Sequence, residues 1–245
     1  MRKLRAGLVW LGICLATLLF GIPAIFAAFV PPRGDWFLRF ARGWARTILA
    51  FSGVSLRVLR PERLSGLPPV VFVANHESLA DILVLLASVP IQVRFLAKRS
   101  VFRVPVLGWS IRAAGFVPVD RGDRARSTST FEAALSRLES GRSVVIFPEE
   151  TRTRTADLLP FKKGAALLAL RSGCPLMPVA ISGTRQVLSR ESLVPSAGRV
   201  VLAIGEPIST AGLETKDRAR LTASARAAVS ALRDEAAAAR GAGGA

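Results

Sequence analysis

From Ala6 to Val30 the chain carries no charged side chain, and Arg2, Lys3 and Arg5 stand just before that run. At ~1.5 Å per residue, a helix of this length can cross a ~30 Å hydrocarbon core. A cleaved signal peptide has a shorter apolar region, of about 7–15 residues, so a retained segment is the expectation. Pro23, soon after Gly21, is expected to kink or break the helix, so a half-inserted hairpin stands beside a crossing helix as a reading. Between Asp35 and Gly53 the pattern changes: Phe37, Phe40, Trp44, Ile48 and Phe51 recur at helical spacing, with Arg39, Arg42 and Arg46 off that stripe. This predicts an amphipathic helix, packed on the core or lying at a membrane interface. Basic residues flank the first run on both sides, so charge bias gives no orientation. If the two segments form a hairpin, the protein is monotopic.

From Val54 onward, short apolar runs alternate with helical stretches, the pattern of an α/β domain with a mostly parallel or mixed sheet flanked by helices. Predicted strands are Val54–Val58, Val70–Ala74, Val93–Ala97, Phe116–Val119, Val144–Phe147, Met177–Ile181 and Val200–Ile204. Predicted helices include Ser78 to Leu86, Arg124 to Ser140 with Gly141 as its stop, Lys162 to Arg171, and Thr215 to Arg240. The organisation expected is 1–53 as membrane-anchoring helices, 54–240 as the α/β domain, and 241–245 as a disordered glycine-rich tail.

Charge narrows the partners. Net charge is +17 from 34 Lys+Arg against 17 Asp+Glu, in a chain that is 51% hydrophobic. That combination points to an anionic membrane or a phosphorylated substrate. Nucleic acid is set aside because the chain offers neither zinc-finger spacing nor an aromatic stacking motif. Cys14 and Cys174 lack C-x-x-C spacing and read as structural; with a single histidine, no metal site is expected.

That histidine, His76, lies in Asn75-His76-Glu77-Ser78-Leu79-Ala80-Asp81, at a strand-to-helix turn. An imidazole is suited to take a proton from an alcohol at neutral pH. Residues five apart in a continuous helix would not meet, but a turn lets Asp81 reach back if Ser78 is the N-cap. Ser78 and Asp81 also read as a capping-box variant, with Asp81 bonding backbone amides. Both readings stand on these residues alone.

Further polar stretches follow or leave predicted strands, where α/β sheets bind ligands. They are Gly115 to Arg121, Phe147-Pro148-Glu149-Glu150-Thr151-Arg152-Thr153, and Phe161-Lys162-Lys163-Gly164 at a helix start. Singly, each reads as a solvated strand end with ion pairs, such as Arg121 with Asp120 or Arg152 with Glu149 or Glu150. Together with the Asn75–Asp81 box and Leu176-Met177-Pro178-Val179, their order and spacing resemble the motif set of the glycerolipid acyltransferases, closest to the 1-acylglycerol-3-phosphate (lysophosphatidic acid) acyltransferases. The resemblance covers roughly Val54 to Gly205. One departure is visible: the glycine of the third motif, F-P-E-G-T-R-S, is Glu150 here.

The resemblance implies a single acyltransferase domain and an enzyme using an acyl thioester, acyl-CoA or acyl carrier protein, with no cofactor of its own and no metal. His76 is the implied general base on a glycerol hydroxyl and Asp81 the group that orients it. Arg121, Glu149, Thr151 and Arg152 are implied at the acceptor phosphate. Asn75, Ser78, Lys162, Lys163 and Pro178 are further candidates for substrate or coenzyme A. The implied partners are a lysophospholipid, the thioester and an anionic membrane, and the implied location is the inner or cytoplasmic membrane with the site facing the cytoplasm. A different lysolipid acceptor, such as lyso-ornithine lipid, is the alternative. A non-catalytic phospholipid-binding protein would have no use for the His76–Asp81 pair.

Overall fold

The computed structural model describes residues 2–31, 35–120, 124–153, 157–189 and 194–242, without side-chain detail at 2–6 and 124–127. Its centre is a sheet of seven strands in the order β1-β7-β6-β2-β5-β3-β4. The strands are β1 (Val54–Leu59), β2 (Val71–Ala74), β3 (Val93–Lys98), β4 (Val117–Val119), β5 (Ser143–Ile146), β6 (Leu176–Ser182) and β7 (Gly198–Ile204). Each expected strand is present, with ends moved by a residue or two. Neighbours run parallel except at β6 and β7, which are antiparallel. One reversal therefore makes the sheet mixed and leaves β6, β2, β5, β3 and β4 pointing the same way.

Both faces of the central strands β2, β5 and β6 are buried, which is why they read as nearly continuous apolar runs, whereas edge strand β1 alternates and exposes Ser55 and Arg57. One face is covered by α2 (Phe37–Phe51), α3 (Ala80–Ser88) and α4 (Leu107–Ala113). The other is covered by α5 (Arg124–Glu139), α6 (Gly164–Ser172) and α8 (Arg218–Gly241). A four-residue helix, α7 (Thr184–Val187), follows β6. The last helix was expected from Thr215; its first turn is 3-10, and the α-helix starts at Arg218 and continues to Gly241. Residues 243–245 of the expected tail lie outside the described residues.

The first helix, α1 (Arg2–Ala27), runs through Pro23 without a break. It folds against α2: Trp44 Nε1 donates to Thr17 Oγ1 at 3.1 Å. Gly43 permits the approach, because a Cβ there would lie 2.5 Å from the Phe20 ring. The amphipathic stretch is thus packed on the core, burying Phe37, Leu38, Ala41, Ala45, Ile48 and Leu49. Phe51, expected in the buried stripe, is 56% exposed. Its arginines serve the fold: Arg42 Nε donates to the Val89 carbonyl at 3.1 Å and Arg46 Nε to the Ala87 carbonyl at 3.2 Å. Those carbonyls belong to the C-terminal end of α3, where cations are favourable.

The start of α2 is pinned to the sheet through Asp35. Its Oδ1 accepts from Arg94 Nη2 and Arg142 Nε, each at 3.0 Å. Arg94 is buried inside β3, and burial pushes its guanidinium down to about 10. A charge this deep persists because a carboxylate meets it, and removal of Asp35 would leave it uncompensated.

Candidate active site

The end of β2 and the start of α3 place His76 and Asp81 in contact: His76 Nδ1 lies 2.8 Å from Asp81 Oδ2. The helix begins at Ala80, two residues later than expected, with Leu79 rather than Ser78 at the N-cap position. The two readings of Asp81 turn out to be compatible. The same Oδ2 accepts the backbone N–H groups of Glu77 at 2.8 Å and Ser78 at 2.9 Å, while Oδ1 accepts the hydroxyl of Thr184 at 2.5 Å. Asp81 is completely buried. Asp81 Oδ2 already accepts from two backbone N–H groups, so the tautomer that fits is the one in which Nδ1 of His76 carries the proton and donates to it. That tautomer leaves Nε2 with a lone pair and, among the described residues, no partner. The imidazole is held flat against the Phe147 ring, with centroids 4.1 Å apart and planes inclined by 21°.

The turn is braced from two sides. Asn75 makes a pair of bonds to the backbone of Ile181, donating to its carbonyl and accepting its N–H, both at 2.8 Å. Ser78 Oγ donates to the Leu188 carbonyl at 2.6 Å and accepts from the Ala80 N–H at 3.1 Å. Glu149, buried after β5, spends one carboxylate oxygen on the His76 N–H at 2.7 Å and the other on the Leu159 N–H at 2.9 Å. Burial pushes Glu149 above the usual carboxylate range, and the two backbone bonds pull against that rise. Burial also raises Glu77, and the nearby Asp81 charge adds to the effect.

Thr184 was not singled out in the sequence. It stands 103 positions from Asp81, and a threonine after a glycine gives only a turn signal. Gly183 makes its placement possible: φ is +103°, and a Cβ there would meet the Arg199 carbonyl oxygen at 2.2 Å.

His76 borders a cavity of about 1120 Å³. Most of its charged lining comes from the C-terminal ends of the parallel strands: Lys98 at the end of β3, Asp120 after β4, and Glu150 and Arg152, with Thr151 between them, after β5, joined by Lys162 before α6. Most of the rest is apolar, supplied largely by α1 to α4 with such residues as Phe20, Trp44, Ile82 and Ile111, and interrupted by hydroxyls such as Thr17, Ser110 and Thr130. Arg152 is half-buried, and its guanidinium makes no ion pair or hydrogen bond among the described residues. The expected pairing with Glu149 is ruled out because that carboxylate is bonded to backbone. Asp120 pairs with Arg99 at 2.5 Å.

Several expected substrate contacts are placed elsewhere. Asn75, Ser78 and Pro178 are buried and committed to the fold; Pro178 sits within β6 opposite Val73, away from the cavity. Glu149 likewise positions the turn from inside. Lys163 is exposed at the start of α6 and does not border the cavity, whereas Lys162 does. Arg121 lies outside the described residues. Glu150, at the family's glycine position, has a φ of 57°, the left-handed region that glycine adopts without strain.

Comparison with known proteins agrees with this geometry. The model of a family described as Acyltransferase matches residues 55–182. The chain is 35% identical over 181 residues to a 1-acyl-sn-glycerol-3-phosphate acyltransferase of Saccharomyces cerevisiae, covering 73% of this chain and 59% of that one. It is 32% identical over 178 residues to the beta form of Homo sapiens, covering 71% and 64%. It spans about half the length of the curated relatives it matches. The crystal structure of the 1-acyl-sn-glycerophosphate (LPA) acyltransferase PlsC from Thermotoga maritima superimposes with a TM-score of 0.77 at 26% identity, covering 95% of this chain and 98% of that one. With a histidine–carboxylate pair at the strand ends and the family's motifs running through residues 55–182, the chain belongs to the acyltransferase family.

Proposed function

We propose that the protein transfers a fatty acyl group from an acyl thioester to the free glycerol hydroxyl of 1-acylglycerol-3-phosphate, giving phosphatidic acid. The observation that carries this reading is a base and an anion receptor bordering one cavity: His76, whose Nδ1 is held by Asp81, and Arg152, whose guanidinium has no partner among the described residues. Nε2 takes the hydroxyl proton while the alcohol oxygen attacks the thioester carbonyl. The new C–O bond forms, the C–S bond breaks, and the proton passes from the imidazolium to the departing thiolate. Asp81 stabilises the transient imidazolium without moving. Arg152, with Lys162 and Arg121, meets the acceptor phosphate, and guanidinium suits it because paired N–H donors fix orientation as well as charge. The apolar remainder of the cavity receives acyl chain. The donor is acyl-CoA or acyl carrier protein, and no resident cofactor is required.

The substrates partition into bilayers, and among the described residues one helix, Gly7–Ala27, is long and apolar enough to cross a membrane. Its packing against α2 and α4 favours a monotopic hairpin, and we place the site on the cytoplasmic side of an anionic membrane. A second acceptor reading is favoured by Glu150, whose exposed carboxylate borders the same cavity and suits a lysolipid bearing a cation, such as lyso-ornithine lipid. Purified protein incubated with labelled acyl-CoA or acyl carrier protein and a panel of lysolipids tests both. Phosphatidic acid formation is expected; transfer to lyso-ornithine lipid alone would replace the first reading by the second, and transfer to no lysolipid would end both.

A further inference from the structure

We propose that the segment from Arg99 to Ala113, comprising a 3-10 turn and α4, is a second membrane contact that docks on an anionic bilayer beside α1. The proposal rests on the membrane reading above. Its first support is a set of apolar side chains with nothing to cover them: Val104 is 45% exposed and Trp109 57%. Two exposed cations, Arg103 and Arg112, flank them. Tryptophan beside arginine is the composition of a bilayer interface, where the ring lies at headgroup depth and the guanidinium meets phosphate. A second copy of this chain fits less well, because the patch would bring like charges together.

The second support is continuity. α4 packs on α1, whose outer side exposes Leu15, Leu19 and Phe26. The joint is close: a Cβ on Gly21 would lie 2.7 Å from Val106 Cγ1. The cavity rim has the same character, since Trp10, Leu79 and Val104 both line the cavity and are exposed.

The third support is the backbone. Val106 has φ 60° and ψ −59°, and the Leu107 N–H bonds back to the Pro105 carbonyl at 2.6 Å. A β-branched residue in such a γ-turn is strained, and strain of this kind persists where surrounding structure over-determines it. Here the turn seats Val106 on α1 and leaves Val104, Pro105 and Trp109 facing outward.

The test uses the full chain with Cys14→Ala and Cys174→Ala, carrying an environment-sensitive fluorophore on one introduced cysteine. Val104→Cys and Trp109→Cys probe the segment, Leu19→Cys reports α1, and Lys216→Cys, on an exposed turn elsewhere, is the wet control. With phosphatidylglycerol-containing vesicles bearing a shallow acyl-chain nitroxide, labels at 104 and 109 should shift to the blue and be quenched as at 19, with no change at 216. Labels at 104 and 109 that behave like 216 while 19 is quenched would overturn the proposal and leave the membrane reading standing. If 19 also stays wet, both fall. A concentration-dependent blue shift without vesicles would assign the patch to self-association instead. As a functional arm, Trp109→Ser should raise the apparent KM for a vesicle-borne lysolipid several-fold and leave the rate on a water-soluble short-chain acceptor unchanged, with Trp109→Phe restoring the wild-type value. An equal loss on both acceptors would count against the proposal.

Discussion

Behind His76, the polar side chains of the turn have their partners within the protein; in front of it, the Arg152 guanidinium is left open among the described residues. Asp81 takes four hydrogen bonds, Glu149 takes two backbone amides, and Asn75 and Ser78 are bonded across to β6 and the residues after α7. Arg152 borders the cavity with no partner among the described residues, while Asp120 on the same cavity is paired with Arg99. The difference has an energetic basis. A buried polar group without a partner costs about 1–3 kcal/mol, so the rear of the site must be satisfied to exist at all. The cavity side is solvated and can keep its donors for an incoming anion. The rear therefore sets geometry before substrate arrives, and the front sets what is bound.

The sharpest way to break this comparison is at its centre. His76→Ala should lower transfer by ~10²–10⁴-fold with the fold retained, since Asp81 keeps its two amide donors and Thr184. Asp81→Asn should also be severely impaired: the amide oxygen can still hold Nδ1, but the charge that stabilises an imidazolium is gone. Initial rates and circular dichroism on both variants check this. A folded His76→Ala protein with more than about a tenth of wild-type activity would contradict the base assignment.

At the front, Arg152→Ala should cost about 1.5–3 kcal/mol in acceptor recognition, or roughly 10–150-fold in kcat/KM. The loss should appear with the acceptor varied and leave the thioester KM nearly unchanged. Stability should hardly move, because no internal bond is lost. A variant that unfolds earlier but turns over normally would place Arg152 with the structural groups.

Thr184→Val tests whether the rear acts through geometry. The substitution keeps shape and leaves Asp81 Oδ1 without its donor, which costs about 1–3 kcal/mol of stability, or a melting shift of ~2–4 °C per kcal/mol for a chain of this size. If the bond also positions the dyad, kcat should fall roughly tenfold at unchanged KM, the pH–rate profile should move, and Thr184→Ser should recover both. Lost stability with an unmoved pH profile would make Thr184 merely structural.

What the sequence disclosed follows the same division. The strands were legible because sheets buried on both faces demand runs such as Val70 to Ala74, and the pair His76 and Asp81 because both lie in one turn. The supports were not legible, because they arrive from far along the chain: Ile181 meets Asn75 across 106 positions, and Thr184 comes from a four-residue helix too short to leave a periodic signal. Pro178 illustrates the cost. Its motif was expected to touch substrate, yet it is an internal strand that delivers Ile181 and Thr184 to the back of the dyad. A helical stretch was expected between β3 and β4, but the bounds of α4 were not legible, since its entry depends on the γ-turn at Val106, which valine does not advertise.

The smallest expected effect is at Glu150, where two terms oppose each other. Holding an L-residue in the left-handed region costs roughly 1–2 kcal/mol, and glycine would relieve that. Glycine also adds freedom to the unfolded chain, which costs about 0.5–1 kcal/mol. Glu150→Gly should thus change stability by about 1 kcal/mol or less, upward, and a melting rise beyond a few degrees would mean that more than backbone strain was relieved. Kinetically, the carboxylate borders the same cavity as Arg152 while being exposed, so its repulsion of a phosphate is worth about 0–1 kcal/mol and is screened by salt. Removing it should raise kcat/KM for lysophosphatidic acid by at most about fivefold, more at low than at high ionic strength. A cation-bearing lysolipid supplies the converse measurement. If Glu150→Gly leaves lysophosphatidic acid unchanged and abolishes transfer to the cationic acceptor, the carboxylate belongs with the groups that select substrate, and the acceptor is the cation-bearing lipid.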